Sequence, residues 1–427
     1  MKTLIQNARL IDPDTGYDGN GALLMYDGAI SAVWKGTTPE EIESAEKIDA
    51  AGKCLAPGII DLGVKVSEPG ERHKESFGSA GAAAAAGGVT TIVTRPDTLV
   101  AIDTPETLEF VLRRGREASD VNVLPMAALT KGRDGKEMVE VGFLKDGGAV
   151  AFSDCDRVVE DTKVLSRAMA YAASIGALVM GHPQEPTLSK DAVATSGKFA
   201  SLKGLPAVSP MAERMGLDRD LALAEMTGVA WHADQITTAR ALTRLARAKE
   251  KSLDVTAGVS IHHLTLNEFD VGDYRTFFKV KPPLRSEEDR LAVVEAVGSG
   301  LIDVICSMHT PQDEESKRLP FEVAASGAVG LETLLPAALR LYHAGHLDLL
   351  CLFRALSLGP ARRLELPSGR LAIGAPADLV LFDPDAPFVL DRWKLKSNSK
   401  NTPFDGARLQ GQVLRTWVGG TEVFHKE

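Results

Sequence analysis

Eight short apolar runs, separated by stretches carrying helix signals, constrain this 427-residue chain more than any other feature. They are IIDLGVKV, TTIVTRPD, VNVLPMAAL, GAVAFSD, GALVMGHPQ, GVAWHADQ, LDVTAGVSIHHL and LIDVICSMHT. The first lies between Pro57-Gly58 and Pro69-Gly70, and its nearly unbroken apolar character is that of a parallel strand covered on both faces. Between the runs, Thr104-Pro105-Glu106 offers a cap and a proline at the first helical position, and Ser286 with Asp289 offers a capping box before RLAVVEAV. The alanine-rich GSAGAAAAAGG at 78–88 reads as a helix rather than a linker, because alanine is a strong helix former that lets helix and strand pack closely. Eight strand-helix repeats in one covered parallel sheet predict an α/β fold of the closed (β/α)8 TIM-barrel type, whose working residues stand at the carboxyl ends of the strands.

The two ends of the chain have a different texture. KTLIQNARLI and GALLMYDGAISAVWKG near the start, and PADLVLFDPD, VLRTWVGG and TEVFHK near the end, read as short strands, with Asp27-Gly28 as a hairpin turn. These segments predict a small β-sandwich built from both termini, residues 1–55 and 363–427, flanking a barrel over 56–362. The chain has 48 Lys+Arg against 58 Asp+Glu, a net charge of -10, without the clustered basic residues that a phosphate backbone requires, so nucleic acid is not an expected partner. Cys54, Cys155, Cys306 and Cys351 are widely spaced with no CxxC pair, which argues against both a zinc ribbon and a disulfide scaffold. No apolar run reaches the roughly 18 residues of a membrane span, and the first residues lack an apolar signal core, so a cytoplasmic protein without membrane attachment is expected.

The strand ends carry, in order, Gly63 and Lys65, Pro96-Asp97, Asp154-Cys155-Asp156, His182, Gln235, His262-His263 and Met308-His309. Together with PGIIDLGVKVSEPGERHKE, AAGGVTTIVTRPDT, VTAGVSIHHL, KVKPPLRSEEDR, GAVGLETLLPAAL, GAPADLVLFDP and SKNTPFDG, in that order along nearly the whole chain, they make it resemble the class I dihydroorotases of the amidohydrolase superfamily. The resemblance implies a cyclic-amide hydrolase of pyrimidine biosynthesis. Such enzymes hold zinc through two histidines on strand one, a bridging acid or modified lysine on strand four, histidines on strands five and six, and a strand-eight aspartate that is also the general base. Zinc requires about four N, O or S donors and lowers the pKa of its bound water to about 7.

Position by position, this chain departs from that pattern. The strand-one pair is Gly63 and Lys65, the strand-six histidine is Gln235, and the strand-eight aspartate is Met308. On strand four the bridging position falls either on Asp154, which retains a carboxylate, or on Cys155, which does not. His182 survives on strand five. The positions expected to hold the substrate have changed as well: Ser67 replaces an arginine, and Asp97 and Lys281 replace asparagines. No catalytic, substrate-binding or metal residue is therefore expected to work, and no cofactor is expected; zinc returns only if the hydrolase reading holds. The plainest role for His182 and for His262-His263 is hydrogen bonding and packing, and for Lys65 an ion pair with a neighbouring carboxylate such as Asp154.

Three functions remain open. The first is a non-catalytic homologue acting as a structural subunit for aspartate transcarbamoylase, a role the resemblance implies through inactive bacterial relatives and one that entails a homo- or hetero-oligomer. The second is an active zinc-dependent dihydroorotase or related cyclic-amide hydrolase with an unusual site. The third is a regulator that binds a small anion through Lys65, Arg95 and Lys281.

Overall fold

The computed structural model describes residues 2–37, 39, 42 and 44–426. Seven of the eight apolar runs form parallel strands, at Ile59–Val64, Val89–Thr94, Asn122–Pro125, Val179–Gly181, Trp231–Ala233, Val255–Ser260 and Val304–Cys306. Helices follow most of them, and the strands and helices share one large core. The expected helix starts are present. Thr104 caps the helix Pro105–Ala118 with Pro105 in its first turn, and the alanine run is the helix Phe77–Ala86, capped by Ser76. Ser286 Oγ accepts from Asp289 N at 3.2 Å, but the return half of the expected box is spent elsewhere: the Asp289 carboxylate accepts from Ala239 N at 2.9 Å and so starts the neighbouring helix Ala239–Glu250.

The ladders do not run unbroken around the series. Three strands form one parallel sheet and four form another. The fourth run, GAVAFSD, joins them through Phe152, which bridges Ala127 on one side and Val179 on the other. Between the last run and the first, a side chain replaces part of the ladder. Asp61 Oδ1 accepts from Ser307 N at 3.0 Å and Gly63 N at 3.3 Å, while one backbone bond, Lys65 N to His309 O at 2.8 Å, links the two strand ends.

The terminal segments pair with one another, in one eight-stranded sheet. Cys54–Pro57 lies between Lys2–Asp12 and Leu379–Val389, so the two ends of the chain share a continuous ladder. Alternation along Leu379–Val389 separates its two faces. Leu379 and Leu381 join Ile5, Leu23, Leu55 and Trp417 in a core of the sheet's own, while Val380 and Phe382 turn to the helices, where Phe382 stacks on Phe353 at 5.4 Å. Asp27 and Gly28 both have positive φ, 50° and 77°, the turn that matches the twist of the hairpin they close. Among the described residues, no helix is long and apolar enough to cross a membrane.

Candidate functional site

The strand ends open into a cleft of about 380 Å³, and most of the singled-out residues meet there: Lys65, Arg95, Asp97, Asp156, Gln235, His262, Lys281 and Met308 all line it. Lys65 follows the strand Ile59–Val64, and Arg95 and Asp97 follow Val89–Thr94. Parallel pairing of these strands puts their ends side by side. Lys65 therefore pairs with Asp97, Nζ to Oδ2 at 3.3 Å, and not with Asp154. Arg95 approaches the same oxygen at 2.9 Å. Burial pushes the Asp97 pKa up, but the Arg95 and Lys65 charges outweigh it and hold the carboxyl below the ordinary aspartate value.

Asp154 is turned away from the cleft. Its carboxylate accepts from Leu129 N and Thr130 N, both at 3.0 Å, and from Thr130 Oγ1 at 2.5 Å, fixing the turn after the third run. Cys155 is buried, and that burial pushes its thiol up to about 12, so it is neutral at physiological pH. Asp156 faces two cations, Arg133 at 2.9 Å and Lys281 at 3.1 Å. Despite burial, which raises its pKa, Lys281, Arg95 and Arg133 lower it well below the usual range.

His182 lies in an adjoining cleft of about 710 Å³ that shares Arg133, Asp156, Arg157 and Lys281 with the first. Its Nδ1 is engaged by Asp234 at 3.1 Å, and its Nε2 has no partner among the described residues. Gln235 spends its amide on Lys281 O at 3.2 Å. His263 bridges Ser260 Oγ at 2.8 Å and Pro282 O at 3.1 Å, as a packing histidine would, and His262 stacks on Phe404 with ring centroids 6.0 Å apart. His309 turns into the scaffold, with Nε2 3.2 Å from Glu75. Ser67 is buried, and its hydroxyl has no partner among the described residues.

Gly63 and Met308 form a unit. Met308 adopts the left-handed conformation, φ 47°, and its sulfur fills the space into which a Cβ at Gly63 would project. The two residues also line a small cavity with Cys155, Asp234 and Cys306. This donor set does not fit a zinc ion. Glycine has no donor, Lys65 presents an ammonium already paired with Asp97, Gln235 is bonded to a backbone carbonyl, and His182, with Nδ1 held by Asp234 and Nε2 without a partner among the described residues, supplies one donor where about four are needed. Among the described residues, no group of three or more His, Cys, Asp or Glu side chains is gathered closely enough to hold a metal ion.

Three participants escaped the sequence reading. Arg133 and Arg157 come from the loops after the third and fourth runs and have no motif to mark them. Asp234 stands directly before Gln235, and an acid beside a replaced histidine was the available signal.

The comparisons with known proteins agree with the scaffold. Residues 52–241 match the dihydroorotase-like family model. The chain is similar to a dihydroorotase of Syntrophus aciditrophicus, 38% identical with both chains fully covered, and to a dihydroorotase-like protein of Pseudomonas putida, 40% identical over 98% of each chain. A dihydroorotase-like protein of Pseudomonas aeruginosa is 39% identical over 98% of this chain and 99% of its own. Among solved structures, the L-hydantoinase of Arthrobacter aurescens superposes with a TM-score of 0.90 at 25% identity, covering 99% of this chain and 96% of its own.

Proposed function

The chain belongs to the dihydroorotase-like family of the amidohydrolase superfamily, and on that premise we propose that it serves pyrimidine metabolism as a non-hydrolytic member, a structural subunit for aspartate transcarbamoylase. The observation that carries this reading is the Lys65–Asp97 ion pair at 3.3 Å. It places a fixed positive charge where the resemblance puts a metal-binding histidine, and a cation does not enter a site already held by an ammonium. Met308 supports the reading from the opposite strand, because a thioether cannot take a proton from water at the position of the general base. The parallel series is read as a (β/α)8 barrel whose mouth has lost its chemistry while its scaffold remains. A folded scaffold without a reaction centre is most simply retained for a surface that another protein uses, and two of the relatives are themselves named dihydroorotase-like proteins.

The test is purification of the native chain with metal analysis, dihydroorotate turnover and gel filtration in the presence of the cognate transcarbamoylase. The expected result is no stoichiometric zinc, no turnover, and co-elution as one hetero-oligomer at micromolar concentration, since a stable interface buries about 1,200 Å² or more. One zinc per chain with chelator-sensitive turnover would restore the hydrolase reading, and separate elution beside a fully active transcarbamoylase would remove the structural role.

A further inference from the structure

The cleft at the strand ends carries more positive charge than its own carboxylates answer. Lys65, Arg95, Arg133, Arg157 and Lys281 line it, against Asp97, Asp156 and Glu71. Glu71 is already engaged by Lys74 at 2.6 Å. Asp97 is shared by Lys65 and Arg95, and Asp156 by Arg133 and Lys281, so each carboxylate faces two cations and neutralises one. Among the described residues, the guanidinium of Arg157 meets only carbonyl oxygens, those of Gly132 and Arg133 at 3.4 and 3.3 Å. Two of these groups are held out of water, Arg95 and Arg133 each being 8% exposed. A buried cation without a full counter-charge is unfavourable, and an anion entering the cleft relieves it.

Unmet hydrogen-bonding capacity accompanies the unmet charge. Arg95 Nε and His262 Nε2 are buried and have no partner among the described residues, and both residues line the cleft. His262 is 1% exposed. Native structures rarely leave such atoms idle unless a water or a ligand uses them.

We propose that this cleft binds a small phosphate-bearing molecule, whose phosphate group answers the surplus positive charge of Lys65, Arg95, Arg133, Arg157 and Lys281. A phosphate carries between one and two negative charges at neutral pH and offers oxygens that guanidinium forks bind in pairs. At about 380 Å³ the space exceeds what inorganic phosphate alone fills, which leaves room for an organic part beside Gln235 and His262. Two of these side chains, Lys65 and Lys281, stand where the resemblance puts a metal ligand and a substrate ligand, and the site rests on the reading that the mouth no longer holds a metal.

The experiment is thermal shift and calorimetric titration of the full chain with inorganic phosphate, glycerol 3-phosphate and succinate, each against chloride at matched ionic strength. Metal content is measured on the same sample. Saturable stabilisation by the two phosphates, with glycerol 3-phosphate the tighter, is the expected result. Lys281→Gln changes a half-exposed side chain and so tests the site without endangering the fold, and Lys65→Met leaves Arg95 to compensate Asp97. Each should weaken phosphate about tenfold. The proposal is overturned if phosphate does no more than chloride, if succinate binds more tightly than either phosphate, or if both variants bind as the parent does. A zinc-loaded sample would sink the non-hydrolytic reading, whereas a metal-free chain indifferent to phosphate would sink only this proposal.

Discussion

At the scale of single residues, the strand-one glycine and the strand-eight methionine act as one replacement. Gly63 is in an ordinary backbone region, so its phi and psi do not exclude a side chain; the Met308 sulfur does. Restoring a histidine at position 63 alone therefore overfills the mouth. Gly63→His should destabilise by about 1–3 kcal/mol, the usual cost of overpacking a filled site. Adding Met308→Asp removes the obstructing thioether and places at φ 47° a residue type that tolerates the left-handed region better than methionine. The double variant should thus be more stable than the sum of the two single changes predicts, a non-additivity read from urea midpoints of all four proteins. Additive effects would show that the two side chains do not compete for the same space.

At the scale of elements, the strand ends form a ligand set only when they act together, because a chelate needs several donors at once. Gly63→His, Lys65→His, Gln235→His and Met308→Asp combined should restore measurable zinc binding, while each change alone leaves zinc at background in equilibrium dialysis. A single change that recovered tight zinc would mean that donors outside these strands complete the set. The strands themselves were legible because buried parallel strands must be apolar nearly throughout, and IIDLGVKV or LIDVICSMHT cannot hide that pattern. The helix starts were legible because Thr104, Pro105 and Ser286 satisfy local backbone demands that need no tertiary knowledge. What could not be read is which side chain meets which across strands. Lys65 chose Asp97 over Asp154 because strand pairing sets Asp97 beside it, while Asp154 is taken by the backbone of Leu129 and Thr130. Arg133 reaches Asp156 from a loop whose path only the fold decides. Likewise, the terminal strands were visible individually, but their union through Cys54–Pro57 depends on a pairing between distant parts of the chain.

At the scale of the whole molecule, the fold keeps three imidazoles neutral in its interior, and each of them weakens the fold as pH falls through its ordinary value. Burial lowers the pKa of His232 and His263 to about 3 and that of His262 to about 4, with Arg363, Arg285 and His309, respectively, adding smaller repulsions. In the unfolded chain each would titrate near the ordinary value of about 6.5. Above that pH neither state binds the protons, and these groups leave stability unchanged. Below it the unfolded chain takes up protons that the folded chain refuses, so stability falls with falling pH until the folded values are reached. Each refused proton contributes about 1.4 kcal/mol per pH unit, and three together approach about 4 kcal/mol per unit below pH 5.5. The paired carboxylates Asp97 and Asp156, held below their ordinary values, give up their stabilisation only below about pH 4, so the two classes of group act in separate ranges. Other buried groups titrate in the same range: burial raises the carboxyls of Asp220 to about 6 and Glu332 to about 7, so the folded chain takes up these protons first and offsets about two of the three refused ones, while the Lys317 amine, lowered to about 7, already weakens the fold as pH falls from 8 to 7. Stability read from urea unfolding should therefore decline gently, by about 1 kcal/mol per pH unit between pH 8 and 5, with no single steep step. A midpoint that rises as pH falls from 7 to 5 would mean that the three imidazoles take up protons as readily in the folded chain as in the unfolded one, leaving the raised carboxyls unopposed.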